Sequence, residues 1–140
     1  VIVLDTNVVS VLMRPTPDAS VLAWVDSHPA EELWLCSPVV QELWFGMQRL
    51  PQGARKAHLT QPVTAMLDED FPDRVLHYGL RAAIACAELL ASREKWGRPM
   101  ALADAQIAAI CATHQATLAT RNTKDFEATG LSLVNPWTPA

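Results

Sequence analysis

The chain has 140 residues, half of them hydrophobic and 19% charged, with 15 Asp and Glu against 11 Lys and Arg for a formal net charge of −4. This composition excludes a disordered polypeptide and supplies one domain's worth of chain, residues 1–140, with no room for a second core. The acidic balance argues against a protein that grips nucleic acid through a broadly basic surface. No apolar run approaches the ~20 residues needed to cross a bilayer, so no membrane association is expected. The opening VIVL is too short, and lacks the basic flank, for a secretory signal. Cys36, Cys86 and Cys111 are odd in number and without CxxC spacing, and read as reduced core residues of a cytoplasmic protein.

Val1 to Leu4 is a run of β-branched and aliphatic residues that predicts a strand buried on both faces. Asp5 ends it, and Thr6 or Asn7 is the expected cap of a short helix running to Arg14-Pro15. Asp18 caps a second helix carrying Val21, Leu22 and Val25 and closed by Pro29. Leu33 to Cys36 is a second strand, and Ser37-Pro38 pairs a hydroxyl cap with proline at the first helical position. The helix that follows is predicted to bury Val40, Leu43, Trp44, Met47 and Leu50. After Pro51, residues 52–68 read as helical, Arg74 to His77 as a strand, and Tyr78 to Trp96 as a long helix closed by Gly97. Ala101 to His114 is apolar around nearly its whole circumference, which predicts a helix buried against a sheet. Ala116 to Thr120 and Leu131 to Val134 are the last strands, with a turn at Thr123 to Phe126 between them. Buried strands alternating with helices imply an α/β fold, a three-layer α/β/α sandwich around a mainly parallel sheet.

That topology decides where the acids fall. Asp5 ends the first strand and stands at the carboxyl edge, where open α/β sheets bind ligands. A helix that follows a parallel strand starts at the same edge, which brings Glu42 near it. A helix that precedes one also starts there, which places Asp104, in the first turn of the Ala101–His114 helix, on the same rim. Asn122 and Asp125 directly follow the strand ending at Thr120. Each residue alone has a plainer reading: Asp5 and Asp125 as turn caps, Glu42 as a solvated residue, Asp104 as a first-turn acid stabilised by the helix dipole. Together they form an anionic cluster that raises its own pKa values unless a cation intervenes. Oxygen donors without His or Cys select Mg²⁺ or Mn²⁺. Setting Asp5, Glu42, Asp104 and Asp125 aside leaves the remaining chain neutral, which is compatible with a nucleic-acid substrate. His28, His58, His77 and His114 show no ligand spacing, and the five tryptophans read as core rather than as a base-stacking platform.

The stretches VLDTNVVS, SPVVQELWFG, ALADAQIAAI, TLATRNTKDF and the NPW at Asn135–Trp137 stand in order along the chain. In these the sequence resembles a PIN-domain ribonuclease of the VapC toxins of bacterial toxin–antitoxin pairs, most closely the FitB-like branch. The resemblance implies a toxin that is a Mg²⁺- or Mn²⁺-dependent endoribonuclease, neutralised by a cognate antitoxin. It also implies a homodimer that meets operator DNA only through the antitoxin. Asp5 and Asp104 would bind the metal directly, with Glu42 completing the set or orienting the attacking water. Thr120, Asn122 and Asp125 would position water or a second ion, and Arg121 would steady a phosphate, with a 3′-hydroxyl and a 5′-phosphate as products. FitB-type chains commonly carry Asp directly after the TR of the fourth motif, where this chain has Asn122. Many VapC-like chains have TRNxxDF instead, so either Asn122 or Asp125 completes the site. Leu59, Val63, Met66 and Leu67 are the apolar positions expected to be covered by a second copy. The rival readings are a metal-dependent DNA nuclease and a non-catalytic docking protein or corepressor whose acidic pocket takes a basic peptide. A DxD phosphatase lacks its second aspartate in Asp5-Thr6-Asn7, and no glycine-rich phosphate loop follows any strand.

Overall fold

A computed structural model describes residues 1–139. Five short strands, β1 (Ile2–Leu4), β2 (Leu33–Cys36), β3 (Val75–Leu76), β4 (Thr117–Ala119) and β5 (Leu133–Val134), form one sheet in the order β3-β2-β1-β4-β5, with every neighbouring pair parallel. The first strand is therefore the central one, with Ile2 opposite Leu33 on one side and Thr117 on the other. Val3 and Leu4 point to opposite faces of the pleat and both are fully buried, so helices must cover both sides. The covering helices are α1 (Thr6–Leu12), α2 (Ala19–Asp26), α3 (Ser37–Gln48), α4 (Ala54–Ala65), α5 (Leu80–Lys95) and α6 (Leu102–Thr113). This is the expected α/β sandwich around a parallel sheet. All three cysteines are buried and unpaired, and burial pushes the Cys36 thiol up to about 12.

Several local expectations shift by a residue or more. Asp5, not Thr6 or Asn7, caps α1: its carboxylate accepts the Thr6 N–H at 2.8 Å, and the helix stops at Leu12. Cys36 holds the cap position of α3, because Ser37 is already helical and its hydroxyl accepts the Tyr78 N–H at 3.0 Å instead. On α3, Met47 is buried and Val40 and Leu43 pack against the core as predicted, but the stripe fails at Trp44. Pro38, Val39 and Met47 face the core, while Trp44 is 37% exposed. The segment after Pro51 is α4 followed by a π-helical turn, Met66–Asp70, with Pro62 accommodated inside the helix.

Two expectations about exposure fail. Val63 and Met66 are 2% and 5% exposed, because α4 packs onto α3 and folds its own apolar face inward, so that face does not present the surface expected of a dimer interface. Of the tryptophans only Trp24 is fully in the core; Trp44 and Trp96 lie on the surface.

Candidate active site

The parallel register delivers three chain segments to one rim. The β1 strand hands off to α1 at Asp5, whose backbone N–H still pairs with Ala119 of β4 at 2.9 Å. Its carboxylate is 6% exposed and held at both oxygens: Oδ1 by the Thr6 N–H, and Oδ2 by the Thr120 hydroxyl at 2.7 Å. Thr120 is fully buried, and its Oγ1 also accepts the Asn7 side-chain amide at 3.3 Å and the Asn122 N–H at 3.1 Å. With its one proton committed to Asp5 and two N–H groups donating to it, this hydroxyl fixes the carboxylate rather than a water. Asn7 closes the ring by accepting the Arg121 N–H at 3.3 Å. A strand end, a helix start and a turn are thus tied by one threonine.

Asp104, in the first turn of α6, is half-buried beside this group. Burial, then the negative charges of Asp5, Asp125 and Glu42, push its carboxyl up to about 6. Asp5 is also raised, chiefly by burial and further by Asp125, against the lowering effect of its two hydrogen bonds. Asp104 therefore senses the negative charge of carboxylates carried by three other chain segments. Asp125 sits in the 3₁₀ turn Thr123–Phe126, anchored by the buried Phe126 and by its own N–H to the Asn122 carbonyl at 3.0 Å. The structure sets Asp125 in one cleft with Asp104, whereas exposed Asn122 joins the network through its backbone. Arg121 lays its guanidinium 4.9 Å from the centre of the Trp137 ring. Glu42 is solvent-exposed on α3 and faces a separate groove.

Two depressions flank the carboxylates. A groove of 730 Å³ between α1, α3 and α4 is lined largely by apolar side chains, among them Met13, Leu43, Met47 and Leu59, with Glu42 and Thr6 near Asp5. The Thr6 hydroxyl there is buried and without a hydrogen-bond partner. A polar cleft of 490 Å³ lies between the α5–α6 turn and the 3₁₀ turn, and takes in Asp104 and Asp125 together with Arg93, Arg98 and Lys124. Sequence reasoning overlooked these three basic residues, because a lone charge on an alanine-rich helix or in a turn reads as solvated. The clue was the closing signal of α5, Gly97, which fixes where Arg98 must go.

Among the described residues, no three His, Cys, Asp or Glu side chains converge closely enough to hold an ion between them. The donor set nevertheless suits a hard cation that keeps most of its water. Mg²⁺ is commonly bound through one or two carboxylates, and Asp5 and Asp104 are oxygen donors whose mutual repulsion such an ion relieves.

The PIN domain family model matches residues 2–130. The chain is 40% identical over 139 residues to VapC ribonuclease Y4jK of Sinorhizobium fredii, covering 99% of both chains. It is 35% identical over 136 residues to toxin FitB of Neisseria gonorrhoeae, covering 97% of this chain and 98% of that one. Among solved structures, FitAB bound to a DNA fragment superposes with a TM-score of 0.91 at 34% identity, covering 100% of this chain and 98% of the other. A rim of carboxylates at the carboxyl edge of a parallel sheet and this extent of likeness lead to one conclusion: the chain belongs to the PIN-domain family.

Proposed function

We propose that this chain is the toxin of a toxin–antitoxin pair and acts as a metal-dependent endoribonuclease. The observation that carries the reading is the convergence of Asp5, Asp104 and Asp125 at one rim that three chain segments build, with the Asp104 carboxyl raised by the others' charge as well as by burial. The ribonuclease name of one relative and the toxin name of another support it. Asp5 and Asp104 would hold Mg²⁺ or Mn²⁺, with Glu42 and Asp125 contributing charge from the two sides. A divalent cation there supplies neutralisation of the charge that develops on a phosphodiester attacked in line by water. The chain's own part is orientation. Thr120 and the Thr6 N–H hold the Asp5 carboxylate in one rotamer, and α6 presents Asp104 from a buried helix that cannot swing away. The test is cleavage of single-stranded RNA with Mg²⁺ or Mn²⁺, compared with EDTA and with Asp104→Asn. Cleavage that persists in EDTA, or in that variant, overturns the reading.

The apolar groove supports the second half of the proposal. FitAB and the VapBC pairs among the structural neighbours are complexes of two proteins. In this chain, a C-terminal segment of a cognate antitoxin would lie on Leu43, Met47 and Leu59 and reach the carboxylates past Glu42 with an arginine, whose fork pairs with carboxylates. Operator DNA would be met only through that partner, and the toxin would act as a homodimer in the cytoplasm. Replacing that arginine by alanine leaves a weakened complex with cleavage partly restored; a complex that stays fully blocked shows occlusion alone.

A further inference from the structure

The basic residues beside Asp104 are assembled, not scattered. The α5 helix ends in a Schellman turn: Gly97, at φ +76°, donates to the Glu94 carbonyl at 3.0 Å, and the Arg98 N–H donates to the Arg93 carbonyl at 3.0 Å. Arg93 is 6% exposed, and its guanidinium spans the cleft's two walls. Its Nε donates to the Arg98 carbonyl at 2.8 Å and its Nη1 to the Glu127 carbonyl, just past the 3₁₀ turn, at 2.9 Å. The Arg93 and Arg98 guanidiniums also lie 5.5 and 5.1 Å from the centre of the same Trp96 ring. Lys124 enters from the opposite wall. Three of the chain's 11 Lys and Arg are thus gathered around one small cleft whose other charged lining is Asp104 and Asp125.

Asp104 and Asp125 offset two of these three cations, and the cleft keeps a net positive charge that an anionic ligand would balance. A buried arginine that fixes both walls makes the cleft a standing feature rather than a chance meeting of surface side chains. We infer that this cleft binds the RNA backbone beside the cleavage site, with Arg98 and Lys124 contacting a phosphate adjacent to the scissile one and Arg93 holding the walls apart. The inference rests on the nuclease reading and adds to it the direction in which the strand leaves the carboxylates: across the α5–α6 turn, away from the apolar groove. It also answers the charge objection, since an acidic protein needs only a local basic track to hold a single strand.

The experiment compares wild type with Arg98→Ala, Lys124→Ala and the double variant. Cleavage of a single-stranded RNA is followed with Mg²⁺, and binding of the same labelled strand by anisotropy in EDTA. Each single change is expected to raise KM and weaken binding by about 3–10-fold, with kcat within twofold of wild type. The double variant should flatten the log–log salt dependence of binding by about 0.7 per lost phosphate contact. Lys124→Arg should retain wild-type binding. Lys124→Glu serves as a second variant if Arg98→Ala does not fold, and should weaken binding further than Lys124→Ala. Unchanged KM, binding and salt slope in a wild type that cleaves RNA overturn the inference and leave the nuclease standing. A fall in kcat alone overturns it too, since it assigns these residues to the chemistry. A wild type that neither binds nor cleaves RNA overturns both.

Discussion

The groove walled by α1, α3 and α4 and the cleft beside the α5–α6 turn flank the carboxylate rim without sharing a lining residue, and they are made of different materials. The first is larger and mostly apolar, and its charged lining is Glu42 with Arg14 and Arg55, beside His58. The second is smaller and polar, with three basic side chains set around Asp104 and Asp125. A mostly apolar groove favours the apolar side chains of a partner segment. A polar cleft with clustered guanidinium and ammonium groups favours a phosphate. The difference in lining teaches how one rim could take the two proposed occupants from two directions, an antitoxin segment along the groove and an RNA phosphate in the cleft.

The largest effect that would sharpen this division comes from Asp104→Asn. It lies in the polar cleft, so RNA cleavage should fall by about 10²–10³-fold. Millimolar Mg²⁺ should no longer raise the melting temperature. Antitoxin binding should fall far less, because the groove's apolar contacts remain. Equal losses on both counts would erase the distinction.

Thr120→Val tests the support that both sides share. It strips Asp5 of its hydroxyl donor and leaves the Asn7 amide and the Asn122 N–H without their acceptor, at a cost of about 1–3 kcal/mol. Thr120→Ser keeps the hydroxyl and should recover most of the stability and activity. A Val variant as stable as wild type would show that the network does not hold the rim.

The pH dependence of the metal-free protein is the next test. The Asp104 carboxyl titrates at about 6, above its ordinary 3.8, so the folded state binds a proton that the unfolded chain releases. Its contribution to stability is complete below pH ~4 and is lost as pH rises through 6; Asp5, raised as well, acts in the same direction. Melting temperatures across pH 4–7 should therefore fall less steeply in Asp104→Asn, and added Mg²⁺ should flatten the wild-type curve. A wild-type curve no steeper than that of the variant would break the account of the cluster.

The smallest effect belongs to the groove. Gly46 stands on α3 with open space where a side chain would project, so Gly46→Ala should stabilise the free protein by about 0.5–1 kcal/mol. The same methyl narrows the groove, and should weaken an antitoxin segment seated there without altering RNA cleavage. Tighter antitoxin binding would place the segment elsewhere.

How much of this could be read from the residues follows from what each feature depends on. Asp5 and Asp104 were accessible because strand direction alone sends them to one edge, and the parallel order confirms that direction. The exposure of Trp44 was not, because it stands next to Leu43 and one turn from Val40 on α3, and only packing against α1 and α4 decides where the apolar face ends. The inward turn of Val63 and Met66 escaped for the same reason: the pattern marks an apolar face without saying what covers it. Arg93 was hidden most deeply. Its burial depends on two carbonyls, 5 and 34 residues away, that no local pattern announces.

The hydroxyl that holds Asp5 comes from a residue 115 positions later, so the hydrogen bond at the rim spans most of the chain. The central strand β1 pairs with β2 on one side and, on the other, with β4, more than 110 residues later in the sequence. Contacts of such long sequence separation form late in folding. Until β4 pairs with β1, the Asp5 carboxylate stands at a loose strand end without the hydroxyl that holds it. The geometry of the rim is therefore completed only with the pairing of β4, so the fixing of one carboxylate is tied to the closing of the whole sheet.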